Sequence, residues 1–160
     1  CKGIFKRTYI ISILEIITMN ISFSFETKIK LEKRLLLKHF LKGMNKQEGN
    51  KINGLSFVFC SDIFLLNINK SFLNHNYFTD IITFNLNTKR SEKAEGEIYI
   101  SVDRVKDNAV KYGVSINKEL HRVIFHGILH LCGYKDKTKK QQAVMRTMED
   151  LYLKKFGIVK

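Results

Sequence analysis

A histidine pair one helical turn apart, followed by a glycine stop and an acid, constrains this chain more than any other feature: His126-Gly127-Ile128-Leu129-His130-Leu131-Cys132-Gly133-Tyr134-Lys135-Asp136. Residues four apart on an α-helix share a face, with Cβ atoms roughly 5 to 6 Å apart, so His126 and His130 can converge on one ion. Ile124, Phe125, Ile128, Leu129 and Leu131 surround the pair with apolar side chains, which puts both imidazoles on a largely buried helix. Gly133 supplies the permissive backbone at which such a helix stops, and Asp136 can then swing back toward the same ion. Neutral imidazole and carboxylate are ordinary zinc ligands, and three protein ligands with a fourth position open is the catalytic rather than the structural pattern. The expectation is one divalent ion held by His126, His130 and Asp136, Zn2+ first, although the same donors suit ferrous iron. Two neighbours fall away on angle: at about 100° per residue Cys132 points nearly opposite His130, and His121 lies about 140° from His126. Cys132 reads as a small core residue and His121 as a surface or second-face residue. The competing reading is a pair of satisfied core histidines beside an unrelated loop acid; it requires spacing, stop and acid to coincide by chance.

Two further segments, Thr79-Asp80-Ile81-Ile82-Thr83-Phe84 and Gly96-Glu97-Ile98-Tyr99-Ile100-Ser101, read as strands. With the histidine run they resemble the YbeY family of metal-dependent single-strand endoribonucleases and ribosomal RNA maturation factors. Its signature is H-G-x-L-H-L-x-G-Y-D-H, and its strands read T-[DN]-V-L-S-F and G-D-I-x-I-S. His126 and His130 match the first two ligands, while Gly127, Leu129, Leu131, Gly133 and Tyr134 match the framework. Asp136 stands where the family has its third histidine and Lys135 where it has an aspartate, so the resemblance implies an acid in place of an imidazole. Two other positions depart: Leu73 falls where the family commonly has an arginine, and Glu97 replaces an aspartate one methylene shorter. The likeness runs from about Met19 to the C-terminus.

That resemblance implies cleavage of single-stranded RNA in ribosomal RNA maturation, including the 3' end of 16S ribosomal RNA, and in ribosome quality control. It also implies the small ribosomal subunit as partner and the cytoplasm as location. A zinc protease helix would read H-E-x-x-H with glutamate as general base; Gly127 occupies that position, which argues against peptide hydrolysis. Glu97 is the candidate catalytic residue for proton transfer. Thr79 and Asp80 are candidates to shape the cleft, and Glu119 to orient a histidine. The alternatives are a ribosome-associated RNA-binding factor whose metal is structural, and a metal hydrolase for another substrate such as a peptide.

Charge agrees with a polyanionic partner. There are 28 Lys+Arg against 15 Asp+Glu, a formal net charge of +13, which draws RNA and makes its binding fall with salt. Lys135, Lys137, Lys139 and Lys140 follow the histidine helix at once, where they can hold phosphates near the ion. A helix carrying Lys28, Lys30, Lys33, Arg34 and Lys38 is a second candidate surface, with a plain solvated face as its simpler explanation. Cys1, Cys60 and Cys132 are odd in number and widely spaced, with no C-x-x-C pair, the usage of a reducing compartment rather than of a disulfide framework. Lys2, Lys6 and Arg7 before the apolar run Tyr9 to Leu14 loosely mimic a signal peptide, but Glu15 interrupts the run and it is too short to span a membrane. Residues 1–18 are read as an extension outside the core, and residues 19–160 as a single catalytic domain, the size at which one apolar core suffices.

Periodicity supplies the architecture. Ile21, Phe23 and Phe25 alternate with polar residues as in a half-buried strand; Leu31, Leu35, Leu36 and Phe40 then read as a helix that Gly43 ends. Leu55 to Cys60 is a strand, and Ser61 or Asp62 caps the next helix. Ile81 to Phe84 and Glu97 to Ile100 are strands. Helices are expected from Ser101 to Tyr112, from Asn117 to Cys132 and from Lys139 to Phe156, with loops at 44–53 and 85–95. The fold expected is α+β, a small mixed four-stranded sheet packed with four to five helices and the metal site on a central helix.

Overall fold

In the computed structural model of the chain, residues 19–86 and 94–158 are described; the expectations for residues 1–18, and for the middle of the loop before the fourth strand, fall outside them. The elements run β1 (Asn20–Phe25), α1 (Arg34–Gln47), β2 (Ile52–Cys60), α2 (Asp62–Leu73), β3 (Ile81–Asn85), β4 (Ala94–Ser101), α3 (Val102–Lys111), α4 (Ile116–Leu131) and α5 (Lys139–Phe156). The four strands form one mixed sheet in the order β1-β2-β4-β3. β1, β2 and β4 are parallel, and β3 runs antiparallel to β4 along the edge. This is the α+β arrangement the sequence predicts.

Alternation along the strands sorts side chains between two faces. Ile21, Leu55, Phe57, Phe59, Ile98 and Ile100 all lie within the main core, together with buried residues of α1, α3, α4 and α5. The opposite face packs Val58, Ile82, Phe84 and Tyr99 against Leu65 and Ile68 of α2. β2 is apolar on both sides of its C-terminal half because a helical layer covers each face there.

α4 is the most enclosed helix: Leu120, Val123, Ile124, Phe125 and Leu129 are fully buried. It approaches the sheet so closely at Gly127 that a Cβ there would stand 2.7 Å from Ile81 Cδ1 and 3.0 Å from Ile98 Cγ2. Any larger residue there makes the Ile81 and Ile98 side chains give way. Ser115, Ser101 and Ser61 each cap a helix by accepting a backbone N–H, from Lys118, Arg104 and Phe64 respectively, and Thr138 with Gln141 forms a capping box at α5.

Three expectations are corrected. Gly43 does not end α1: the helix continues to Gln47, burying Met44 and Asn45. The Asn45 side chain donates to the Asn50 and Ile52 carbonyls, and Gly49, at φ 67°, takes the left-handed turn position instead. Of the apolar set Leu31, Leu35, Leu36 and Phe40, Leu35 and Leu36 are exposed, whereas Phe40 packs on the rings of Phe125, Tyr152 and Phe156. α1 starts at Arg34 and buries Leu37, Leu41 and Met44, while Leu35 is 77% exposed and Leu31 is buried ahead of the helix. Lys28, Lys30 and Lys33 consequently lie before α1, whereas Arg34 and Lys38 lie on it, with their charges over the rings of Phe25 and Phe23. His121 is no surface residue: it is 1% exposed, stacked on Phe156 of α5, with Nδ1 donating to the Asn117 carbonyl.

Candidate metal centre

The last two turns of α4 present His126 and His130 toward the edge strand β3, and the loop from Cys132 to Thr138 brings Asp136 back to them. Gly133, at φ 94°, makes that reversal. The loop is tied down by Tyr134 N–H on the Leu129 carbonyl at 3.0 Å, by the Tyr134 hydroxyl on Glu48 at 2.8 Å, and by the Gln142 side chain on the Asp136 carbonyl at 2.9 Å.

Hydrogen bonds settle which ring nitrogens face one another. His130 Nδ1 lies 2.9 Å from the Tyr134 carbonyl, which can only accept, so Nδ1 carries the proton. His126 Nδ1 lies 2.6 Å from Glu149 Oε1 and donates to that carboxylate. Both Nε2 atoms are left as lone-pair donors, and they stand 2.9 Å apart. Asp136 Oδ2 lies 3.6 Å from one and 3.4 Å from the other. Two lone pairs and a carboxylate oxygen do not converge favourably unless something positive lies among them.

The set fits a metal ion. Donors about 2.0 to 2.1 Å from one tetrahedral ion stand roughly 3.3 to 3.4 Å from each other, and the three separations here bracket that value. His126, His130 and Asp136 offer ligand atoms all within 4.8 Å of one another. The histidine side chains are 13% and 23% exposed and that of Asp136 is 42% exposed, so the cluster is rooted in the core and open on one side.

Beneath His126 lies a polar network that the sequence reading missed. Arg122, one turn before His126, donates to Glu119 at 2.7 and 2.9 Å, to Glu149 at 3.3 Å and to Asp80 at 3.4 Å. Burial works against the guanidinium's charge, yet these carboxylates outweigh it and raise its pKa. Burial likewise pushes the Glu149 carboxyl up, but the hydrogen bond from His126 and the charge of Arg122 hold it below the usual range. Glu149 Oε2 is buried without a hydrogen bond. Two guanidiniums, Arg122 and the more exposed Arg146 at 4.0 Å from Glu149, stand against Asp80, Glu119, Glu149 and Asp136, which leaves the centre formally net negative inside a strongly basic chain. Such a setting favours a cation.

The expected site residues are distributed as follows. His126, His130 and Asp136 come together. Thr79 and Asp80 line the same cavity of about 360 Å³, with Leu73, Ile81 and Thr83 on its wall. Lys135, Lys137, Lys139 and Lys140 are exposed around the loop and the start of α5. Glu119 orients Arg122 rather than a histidine. Glu97 is not brought to the centre. Its register partners are Ser56 and Phe84, which puts it on the sheet face away from α4, where it accepts a hydrogen bond from the Tyr99 hydroxyl. A catalytic part for Glu97 at this centre is thereby withdrawn, because the sheet lies between. Cys132 accepts a contact from Asn50, and burial pushes its thiol up, which disfavours the thiolate that a metal would need.

Glu149 did leave a trace in the sequence: it shares with Met145, Tyr152 and Leu153 the buried stripe of α5, and an acid in an apolar stripe needs a partner.

The chain is similar to known proteins over most of its length. The family described as Endoribonuclease YbeY matches residues 20–157. An Endoribonuclease YbeY of Cytophaga hutchinsonii is 48% identical over 136 residues, 84% of this chain and 94% of that protein. One from Karelsulcia muelleri is 39% identical over 133 residues, 83% of this chain and 93% of its own. One from Flavobacterium psychrophilum is 36% identical over 138 residues, covering 86% and 97%. A Thermotoga maritima protein solved in solution shares the fold with a TM-score of 0.53 at 23% identity, over 86% of this chain and 91% of that one.

Proposed function

The chain belongs to the Endoribonuclease YbeY family, and from that premise we propose that it is a metal-dependent endoribonuclease of single-stranded RNA, with His126, His130 and Asp136 as the metal ligands. The observation that carries this reading is the pair of Nε2 lone pairs 2.9 Å apart, each fixed by a hydrogen bond on the far side of its ring. A divalent cation held there supplies Lewis-acid charge to a phosphodiester. The chain's own residues do the rest. Glu149 and the Tyr134 carbonyl hold the two rings in the ligating tautomer. Arg122 keeps Glu149 ionised, and the cavity beside β3 admits the strand.

RNA is a better substrate than a peptide on two grounds. Gly127 packs against Ile81 and Ile98 where a zinc protease would place its glutamate, so the general base of that chemistry is missing from this helix. The net charge of +13, with Lys135, Lys137, Lys139 and Lys140 exposed in the loop of Asp136 and at the start of α5, favours a polyanion. The finer proposal is work in ribosomal RNA maturation and ribosome quality control, by one catalytic domain over 19–160, with the small ribosomal subunit as partner and the cytoplasm as location. No helix among the described residues is long and apolar enough to cross a membrane.

Elemental analysis of purified protein beside His126→Ala and Asp136→Ala, followed by cleavage of single-stranded RNA, tests the proposal. About one divalent ion per chain is expected, lost with either substitution. RNA cutting should vanish on chelation and in His126→Ala, with the circular dichroism spectrum unchanged. Full metal retention by Asp136→Ala removes that residue from the ligand set. RNA binding that survives chelation, with no cutting in any metal tried, selects the binding factor with a structural metal.

A further inference from the structure

We propose that His75 and Tyr77 form a platform at the mouth of the cavity that stacks an unpaired nucleobase of the RNA beside the metal ligands; the proposal rests on the endoribonuclease reading and extends it to how substrate is held. The two rings stack with centroids 5.1 Å apart and planes 25° apart. The Tyr77 hydroxyl and His75 Nδ1 share a hydrogen bond of 3.1 Å. Both residues line the same cavity as His126, His130 and Asp136, and Tyr77 is 57% exposed.

The platform is built and held, not a loose pair of surface rings. α2 ends at Leu73, and Asn74 takes a left-handed conformation at φ 55°, turning the chain away from the helix. Asn69, 2% exposed, donates from its side chain to the Tyr77 carbonyl at 2.9 Å, and the His75 N–H donates to the Asn69 carbonyl at 3.2 Å. Asn69 thus fixes the backbone on both sides of Asn76, through its side chain at Tyr77 and its own carbonyl at His75, while leaving the aromatic pair in solvent. Their neighbours are already engaged: Phe78 lies under the Arg104 guanidinium and Phe72 against Phe84.

Flat rings next to a cavity suit a nucleobase because every base has a π-face, so stacking tolerates sequence. In a duplex that face is covered by the neighbouring pair, which gives the platform a preference for single strands without any base-edge contact. Leu73 adds an apolar wall and no charge to the same cavity, so the base contact there rests on rings.

The test uses metal-loaded protein and fluorescence anisotropy with a short unstructured 2'-O-methyl oligoribonucleotide, intact or carrying one abasic position moved along the chain. Cleavage of the unmodified strand is followed in parallel. Tyr77→Ala should weaken binding of the intact strand by roughly 5- to 150-fold, the span of one stacked base. Tyr77→Phe should restore it, and His75→Ala should fall between. One abasic position should cost the wild type a similar factor and cost Tyr77→Ala almost nothing. Tyr77→Ala that binds like the wild type, or an abasic penalty equal in both proteins, overturns the platform. If the wild type cuts RNA and His126→Ala abolishes cutting while Tyr77→Ala does neither harm, the platform alone falls. If the wild type neither binds nor cuts, the endoribonuclease reading falls with it.

Discussion

Glu149 decides which nitrogen His126 offers. Its carboxylate accepts a hydrogen bond from Nδ1–H at 2.6 Å, so Nε2 is presented to Asp136 and His130. Without it the ring is free to flip or to change tautomer. Outer carboxylates of this kind raise the basicity of the imidazole and fix its plane, and removing them typically costs 10- to 100-fold in metal affinity. Glu149→Gln should lower affinity by about that factor while keeping the fold, as read by titration against a competing chelator. Glu149→Ala should cost stability as well, because Arg122 then loses one of the carboxylates that offset its burial. Unchanged affinity in Glu149→Gln would leave the tautomer set by something else. The histidine pair was legible from sequence because four-residue spacing is local. The stripe of α5 marks Glu149 as a buried acid in need of a partner, but which partner is not legible, because the contact spans the packing of α5 on α4, which no local period encodes.

At the scale of elements, two glycines inside helices make opposite demands. Gly127 lies where α4 meets β3 and β4, with Ile81 Cδ1 and Ile98 Cγ2 in the way of any Cβ. Gly127→Ala crowds the tip of Ile81 and the Cγ2 of Ile98, which must shift to admit it, overpacking that typically costs about 1 to 3 kcal/mol. It also displaces His126 beside it. Gly43 has nothing within 4 Å of its Cβ position and lies exposed inside α1, so Gly43→Ala should stabilise by about 1 kcal/mol through helix propensity alone. Urea denaturation of both variants checks the pair, and equal effects of one sign would refute the packing account. The sequence reading took Gly43 for a stop because helix glycines more often mark ends. What kept the helix going is tertiary: Met44 is buried in the core, and Asn45 bonds the chain entering β2. α5, held between Thr138 and Gly157, has the bounds the sequence predicts, and the serine-capped α3 and α4 lie within one residue of theirs at each end.

For the whole molecule the question is where a charge of +13 meets its partner. The sheet divides the surface. On the face away from α4 the polar row Ser22, Ser56 and Glu97 lies beside Glu95, an acidic setting that a phosphate backbone avoids. That separation is why Glu97, on a strand whose alternate residues face the histidine helix, could not be assigned a side from its motif alone: one step along a strand reverses the face. β3, which walls the metal cavity, is the edge of the sheet opposite β1. Lys135 and Lys137 flank Asp136 in the loop after α4 and Lys139 and Lys140 open α5, while Lys28, Lys30 and Lys33 follow β1 on the far edge, where Lys30 already pairs with Glu32 at 2.6 Å. Each phosphate contact on a single strand contributes about 0.7 to the slope of log affinity against log salt. Replacing Lys135, Lys137, Lys139 and Lys140 by alanine should reduce that slope by up to roughly 3, and replacing Lys28, Lys30 and Lys33 should change it by less than about 1. Binding isotherms of one unstructured RNA across a salt series separate the two cases. Equal losses in both variants would mean that RNA is held by diffuse charge over the whole surface rather than led to the metal ligands by the lysines beside them.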